Sequence, residues 1–217
     1  MVLLENALFV HVPKNAGSSI ASRLGGTYNT KHIPMHLPAR AMTQFNKPMF
    51  GFMRNPWHRM VSLYYFLWQS PKHHLPRVDP HAIRKMGFKR WLLEGETFMS
   101  NEPIDGRIWL RGYPKYQRGT YPGIDRLRHP ELGLPPMQRR PSMWWLEGCD
   151  MIGKVERIEK DLQEMAKQYG FRPNAARHTN KTRAKPARWQ DEYDDETIAH
   201  VEKYFAWDID IGGYSFG

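Results

Sequence analysis

Apolar residues fall into short unbroken runs in the first half of the chain and into helix-spaced sets near its carboxyl end. Ala7 to Val12 is nearly continuous, with Leu8, Phe9, Val10 and Val12, and Met49 to Met53 repeats the pattern. Runs of this kind predict strands covered on both faces, as in a parallel sheet. Asp150 to Val155 predicts a third strand. Ser18 to Leu24 predicts a short helix stopped by Gly25-Gly26. Asn55 followed by Pro56 predicts an N-cap and a first helical residue, opening a helix to about Gln69 with Met60, Val61, Tyr64 and Trp68 on one face. Gly87 to Glu94 fits a short helix. Ile158, Leu162, Met165, Ala166 and Tyr169 mark an amphipathic helix closed by Gly170. Asp194 caps a last helix with Ile198, Val201 and Phe205 inward. Strands alternating with helices give an α/β chain: one domain, with a central parallel sheet flanked by helices.

Composition narrows this picture. At 217 residues the chain is long enough for one domain with a substantial core. A net charge of +10 points to anionic partners: a nucleotide, an acidic glycan or nucleic acid. Cys149 is the only cysteine, so no internal disulfide forms, and a structural thiol is a better reading than a nucleophile. The first residues are apolar but carry Glu5 and no basic leader, which reads as a strand and not a signal peptide. No apolar run is long enough for a membrane span. The expectation is a cytoplasmic protein with no membrane partner.

The chemistry gathers at two strand-to-helix junctions. The first is His11-Val12-Pro13-Lys14-Asn15-Ala16-Gly17-Ser18-Ser19. A small-residue turn leading into a helix brings backbone N–H groups and the helix dipole together, Lys14 adds a full charge, and the serines add hydroxyl donors. The common phosphate loop has its lysine directly before Ser or Thr. Here Lys14 stands four residues ahead of Ser18, so the predicted anion site is of another kind. The second junction is Met53-Arg54-Asn55-Pro56, where a strand ends in arginine at the sheet edge that binds ligands in α/β folds. An ATP site of this type usually has an acidic magnesium ligand near a strand end. Lys14 and Arg54 instead supply positive charge directly, which suits an anion arriving without a metal.

The segment Pro13-Lys14-Asn15-Ala16-Gly17-Ser18-Ser19 resembles the 5′-phosphosulfate loop of sulfotransferases. Arg54-Asn55-Pro56, with Ser62 eight residues after the arginine, resembles their 3′-phosphate motif. The variant is most similar to the carbohydrate-type enzymes, and the likeness covers residues 7–69 well and 142–214 loosely. It implies a P-loop nucleotide-kinase-like sulfotransferase fold that uses 3′-phosphoadenosine-5′-phosphosulfate and leaves 3′,5′-adenosine bisphosphate, with no metal. It further implies that Lys14 holds the oxygen bridging phosphate and sulfate, and that Pro13 to Ser19 cradle the 5′-phosphate. Arg54 and Ser62 would bind the 3′-phosphate. The resemblance also implies a base between the two motifs: His32, in Lys31-His32, comes first and His36 second. His11 is expected to pack or hydrogen-bond at the strand end.

Residues 70–141 are irregular. From Arg107 to Arg140 basic residues far outnumber Asp125 and Glu131, with prolines and glycines between them. This reads either as an acceptor-binding wall suited to an acidic substrate or as a solvated basic loop. A late basic loop, His178 to Lys185, offers Lys181 and Arg183 for the cofactor or acceptor; solvation is the competing reading. Residues 142–217 supply the later strand and helices. The leading expectation is sulfuryl transfer to a hydroxyl, foremost on a carbohydrate, and no nucleic-acid partner. Two readings compete: an ATP-dependent phosphotransferase of similar fold, and a non-catalytic basic module that binds nucleic acid or acidic glycan.

Overall fold

The computed structural model describes residues 1–25, 36, 38–42, 45–69, 80–94, 140–175 and 186–217. His32, Lys181, Arg183 and most of the basic 107–140 stretch lie outside them. The protein is α/β, with a four-stranded, mostly parallel sheet. Two compact units emerge. The first combines residues 1–54 with 103–134 and 142–180, and the second combines 55–102 with 135–141 and 181–217.

The first unit holds the sheet. Strands β1 (Val2–Leu3), β2 (Leu8–Val10), β3 (Met49–Met53) and β4 (Met151–Lys154) lie in that order. β1 pairs antiparallel with β2, whereas β2–β3 and β3–β4 are parallel. All five residues of β3 are buried, because helices cover both of its faces. On one face Phe9, Phe50 and Phe52 pack with Ile20, Ala21 and Leu24 of α1 (Gly17–Leu24) and with Leu162, Met165 and Tyr169 of α6 (Ile158–Tyr169). On the other lies α5 (Ser142–Leu146), whose Leu146 comes so close to Gly51 that a Cβ there would meet it at 2.2 Å.

Helix α6 ends as its sequence predicts. Gly170 takes a left-handed conformation (φ 72°) and its N–H bonds to the Ala166 carbonyl. Arg23 of α1, buried at 6%, reaches across to α6 and forms a two-pronged pair with Glu159 at 2.7 and 2.8 Å.

The second unit is built on α2 (Pro56–Gln69), with α3 (Pro80–Met86), α4 (Phe88–Glu94), α7 (Asp195–Tyr204) and α8 (Ala206–Gly212). Asn55 Oδ1 accepts from the His58 N–H, the N-cap expected ahead of Pro56. Trp57, Met60, Val61, Tyr64 and Leu67 of α2 share one core with Ile83, Phe88, Trp91, Val201 and Phe205. Asp194 and Thr197 form a reciprocal capping box at the start of α7. Helices α3 and α8 were not read from the pattern; both are only seven residues long. Among the described residues, no helix is long and apolar enough to cross a membrane.

Candidate active site

The β2–α1 loop is shaped by two residues that rarely adopt the left-handed backbone. Lys14 has φ 67° and Ala16 has φ 55°, ψ 17°. Each such L-residue costs about 1–2 kcal/mol against the right-handed alternative. Asn15 between them and helical Gly17 after them lie outside the positive-φ set. Alternation of left-handed and ordinary backbone is the kind of local geometry from which anion nests are built. The first helical bond runs from the Ile20 N–H to the Ala16 carbonyl at 3.0 Å, and no side chain caps the helix. The amides of Gly17 and Ser18 therefore precede the hydrogen-bond ladder, at the positive end of the helix dipole.

What holds the strained loop is visible around it. Asn15 is 1% exposed and points into the protein: its Nδ2 donates to the Phe52 carbonyl at 2.7 Å and to Ser142 Oγ at 3.0 Å. The Asn15 N–H also closes a turn on the Val12 carbonyl at 3.3 Å. Arg54, buried to 9% at the carboxyl end of β3, donates from one terminal nitrogen to the Lys14 carbonyl at 3.0 Å. Lys14 and Arg54 are thus joined in one constellation, the guanidinium against the main chain that carries the lysine. Pro13 is buried, and Ser18 and Ser19 are half-buried on the first turn of α1.

Gly17 serves packing. Its backbone is helical, and a Cβ on it would come within 1.8 Å of His11 Cδ2 and 2.0 Å of Nε2. The His11 ring, 4% exposed, rests directly on the start of α1. It stacks on Phe9, with centroids 6.0 Å apart, and meets His36 edge to face at 4.4 Å. His36 is half-buried and its Nδ1 lies 2.8 Å from the His11 carbonyl. Burial pushes the pKa of His36 down to about 4, and the nearby positive charges of the chain's amino group and Lys14 act in the same direction; the hydrogen bond to His11 opposes them. Burial likewise holds His11 well below the usual range, aided by His36, the amino group and Lys14.

Among the sequence-predicted residues, the first unit brings together Pro13 to Ser19, Arg54 and His36. Ser62 belongs to the second unit, on α2, and is buried at 3%. The sequence reading missed the anchoring side of the loop, namely the inward turn of Asn15 and its partner Ser142. Among Lys14, Ala16, Gly17 and Ser18 in the sequence, nothing signals that the Asn15 amide turns inward or which partner it meets. At the carboxyl end of β4 the Asp161 carboxylate, 4% exposed, is engaged by the Lys154 N–H at 2.7 Å and by Arg157 at 3.3 Å. Comparison with known proteins finds no matching family model, curated protein or solved structure.

Proposed function

We propose that this chain is a sulfotransferase of P-loop-like fold that moves the sulfuryl group of 3′-phosphoadenosine-5′-phosphosulfate to an acceptor hydroxyl, foremost one on a carbohydrate. The observation that carries the reading is the β2–α1 loop. Left-handed Lys14 and Ala16 form a backbone nest ahead of an uncapped helix, and Arg54 is bonded to the lysine's own carbonyl. The donor set is all hydrogen-bond donors and fixed positive charge, which fits a phosphosulfate arriving without a metal.

In this reading the amides of Gly17 and Ser18, ahead of the helical ladder, and the Ser18 and Ser19 hydroxyls donate to the 5′-phosphate. The Lys14 ammonium neutralises charge developing on the bridging oxygen as the sulfur–oxygen bond breaks. Arg54 meets the 3′-phosphate, and by resemblance Ser62 does so too. The acceptor oxygen forms the new bond to sulfur in line with the leaving oxygen, so positioning and electrostatics dominate the rate. By resemblance His32 takes the acceptor's proton. Lys181 and Arg183 remain proposals for the cofactor or acceptor.

The test is calorimetric binding of 3′,5′-adenosine bisphosphate, compared with ATP plus magnesium, for the wild type, Lys14→Ala and Arg54→Lys. Tight bisphosphate binding, weakened in both variants and stronger than ATP binding, is the expected result. Preference for magnesium-ATP would turn the reading to a phosphotransferase. Binding of neither, with equal sensitivity to loss of any surface lysine and a steep salt dependence, would turn it to a basic binding module.

A further inference from the structure

The large apolar side chains left exposed among the described residues are Tyr204, Trp207 and Ile211, at 43%, 40% and 57%. All three fall on one short stretch, the last residue of α7 and the length of α8. Trp207 and Ile211 stand four apart on α8 and so are neighbours along one face, with Tyr204 three positions before Trp207. Core packing does not account for them, because the same stretch already has an inward side. Val201 and Phe205 lie in the core of the second unit, and Ile209 packs against it. Single exposed apolar residues are ordinary, but a run of large ones marks an interaction surface. Tryptophan and tyrosine are enriched among the anchors of such surfaces. The Tyr204 ring lies 4.6 Å from the His200 ring, and Lys203 Nζ stands 5.7 Å from its centre.

Charge decides what can cover this face. From Trp189 to Gly217, Lys203 is the sole lysine or arginine, although the chain as a whole carries +10. Asp195, Glu196, Glu202 and Asp210 are exposed on α7 and α8; of these, Glu196 is met by Lys89 of α4 at 2.7 Å. The apolar stripe therefore lies on an acidic segment of a basic protein. A second copy meeting the stripe face to face would set Glu202 and Asp210 against their own counterparts. An anionic lipid surface or a nucleic acid would be repelled by the same carboxylates. A helix with apolar residues three and four apart, flanked by lysine or arginine, matches both the stripe and its charge. We propose that the face formed by Tyr204, Trp207 and Ile211 is a docking surface for a basic amphipathic helix of a partner protein. Trp207 and Ile211 supply the apolar contact, and Glu202 and Asp210 supply the charge that orients the encounter. Lys203 carries the opposing charge and weakens the association. The surface belongs wholly to the second unit and does not depend on the sulfuryl-transfer reading.

The experiment titrates the full chain with a synthetic helical peptide of leucine and lysine, its leucines three and four apart. Indole N–H signals of ¹⁵N-labelled protein report the place of binding, and calorimetry reports the affinity. Trp207→Ala identifies the Trp207 signal. The expected result is a saturable shift of that signal and a loss of affinity of about tenfold or more in Trp207→Ala and in Ile211→Asp. Both side chains are exposed, so urea unfolding of these variants keeps the wild-type midpoint. Lys203→Glu binds the peptide about twofold to fivefold more tightly, and Asp210→Lys binds it more weakly by a similar factor. The same peptide with glutamate in place of lysine binds about tenfold more weakly than the lysine peptide. Equal affinity for the two peptides overturns the proposal, as does lysine-peptide affinity unchanged in both Trp207→Ala and Ile211→Asp. A wild type that sediments as a dimer and is dissociated by Ile211→Asp assigns the face to a second copy and overturns it too. Binding to vesicles of anionic lipid that Ile211→Asp abolishes overturns it in favour of a membrane surface.

Discussion

Gly17→Ala isolates the packing at the root of the loop. In an ordinary helix position this exchange would stabilise by about 0.5–1 kcal/mol, since alanine loses less backbone freedom on folding. Gly17 has helical backbone, so no φ penalty stands against the new methyl. The obstacle is the His11 ring, whose Cδ2 and Nε2 would lie 1.8 and 2.0 Å from the added Cβ. Carbon atoms in contact sit about 3.5–4.0 Å apart, so the ring must retreat by more than an ångström. It has little room, being 4% exposed, stacked on Phe9 and set against His36. Forced repacking of this kind typically costs about 1–3 kcal/mol, so the methyl's gain is outweighed and the variant unfolds earlier. In a chain of this size a loss of that order lowers the melting temperature by about 2–4 °C per kcal/mol. The assay is a double-mutant cycle in urea with His11→Ala. Once the ring is gone, Gly17→Ala should become neutral or stabilising, so the two changes couple with a sign reversal. A stabilising Gly17→Ala in the wild-type background, or two additive changes, would refute the claim that the glycine exists for the imidazole.

Three further outcomes are expected. His36 has a lowered pKa of about 4 against an ordinary value near 6.5, so between these values the unfolded chain binds more protons and stability must fall as the pH drops. His36 alone accounts for about 2 kcal/mol lost between pH 7 and pH 5, and urea unfolding of His36→Gln should lose less over that range than the wild type. Asn15→Ala leaves the buried Phe52 carbonyl and Ser142 hydroxyl without their amide donor; it should cost about 1–3 kcal/mol in urea unfolding and weaken bisphosphate binding in calorimetry. Glu159→Gln removes the charged partner of buried Arg23, though the carboxylate side is 67% exposed; solvent screening limits the loss to about 1 kcal/mol, measured as a shift in thermal midpoint that shrinks with added salt.

Much of the fold was legible because its signals are local. Unbroken apolar runs placed β2 and β3 to within a residue or two, the short Asp150 to Val155 stretch placed β4 to within one, Gly170 ended α6, and Asn55 and Asp194 capped their helices through bonds made within three residues. The site was legible only in outline. Its residue types led to the expectation of an anion loop, but the conformation and packing of each residue did not follow from type. Glycine was the obvious residue for a strained turn, yet Gly17 is helical and the left-handed positions fall on Lys14 and Ala16. Asn15 reads as one more loop residue until Ser142, 127 positions away, appears as its partner. His11 and His36 are separated by 25 residues, and nothing in their spacing predicts a shared hydrogen bond.

The strain in the loop bears on function because of what fixes it. Two left-handed L-residues on either side of Asn15, Lys14 and Ala16, would relax if the loop were held only by its own turn bond. Instead the carbonyl of Lys14 is held from β3 by Arg54, and Asn15 is pinned to β3 and to α5 through Phe52 and Ser142. The anchors come from elements that are themselves buried, so the conformation is set before any ligand arrives. If the loop binds the anion proposed above, a conformation fixed in advance does not have to be ordered on binding, which leaves more of the interaction free energy for affinity. Arg54 is a brace for the loop and, in the sulfotransferase reading proposed above, also a cation for the ligand; these two roles separate by substitution. Arg54→Lys keeps the charge but loses the planar fork that suits a carbonyl and a ligand oxygen together. It should reduce bisphosphate affinity with a smaller loss of stability than Asn15→Ala, as measured by calorimetry beside urea unfolding. Equal losses of stability in the two variants would make Arg54 chiefly a brace and remove it from the ligand.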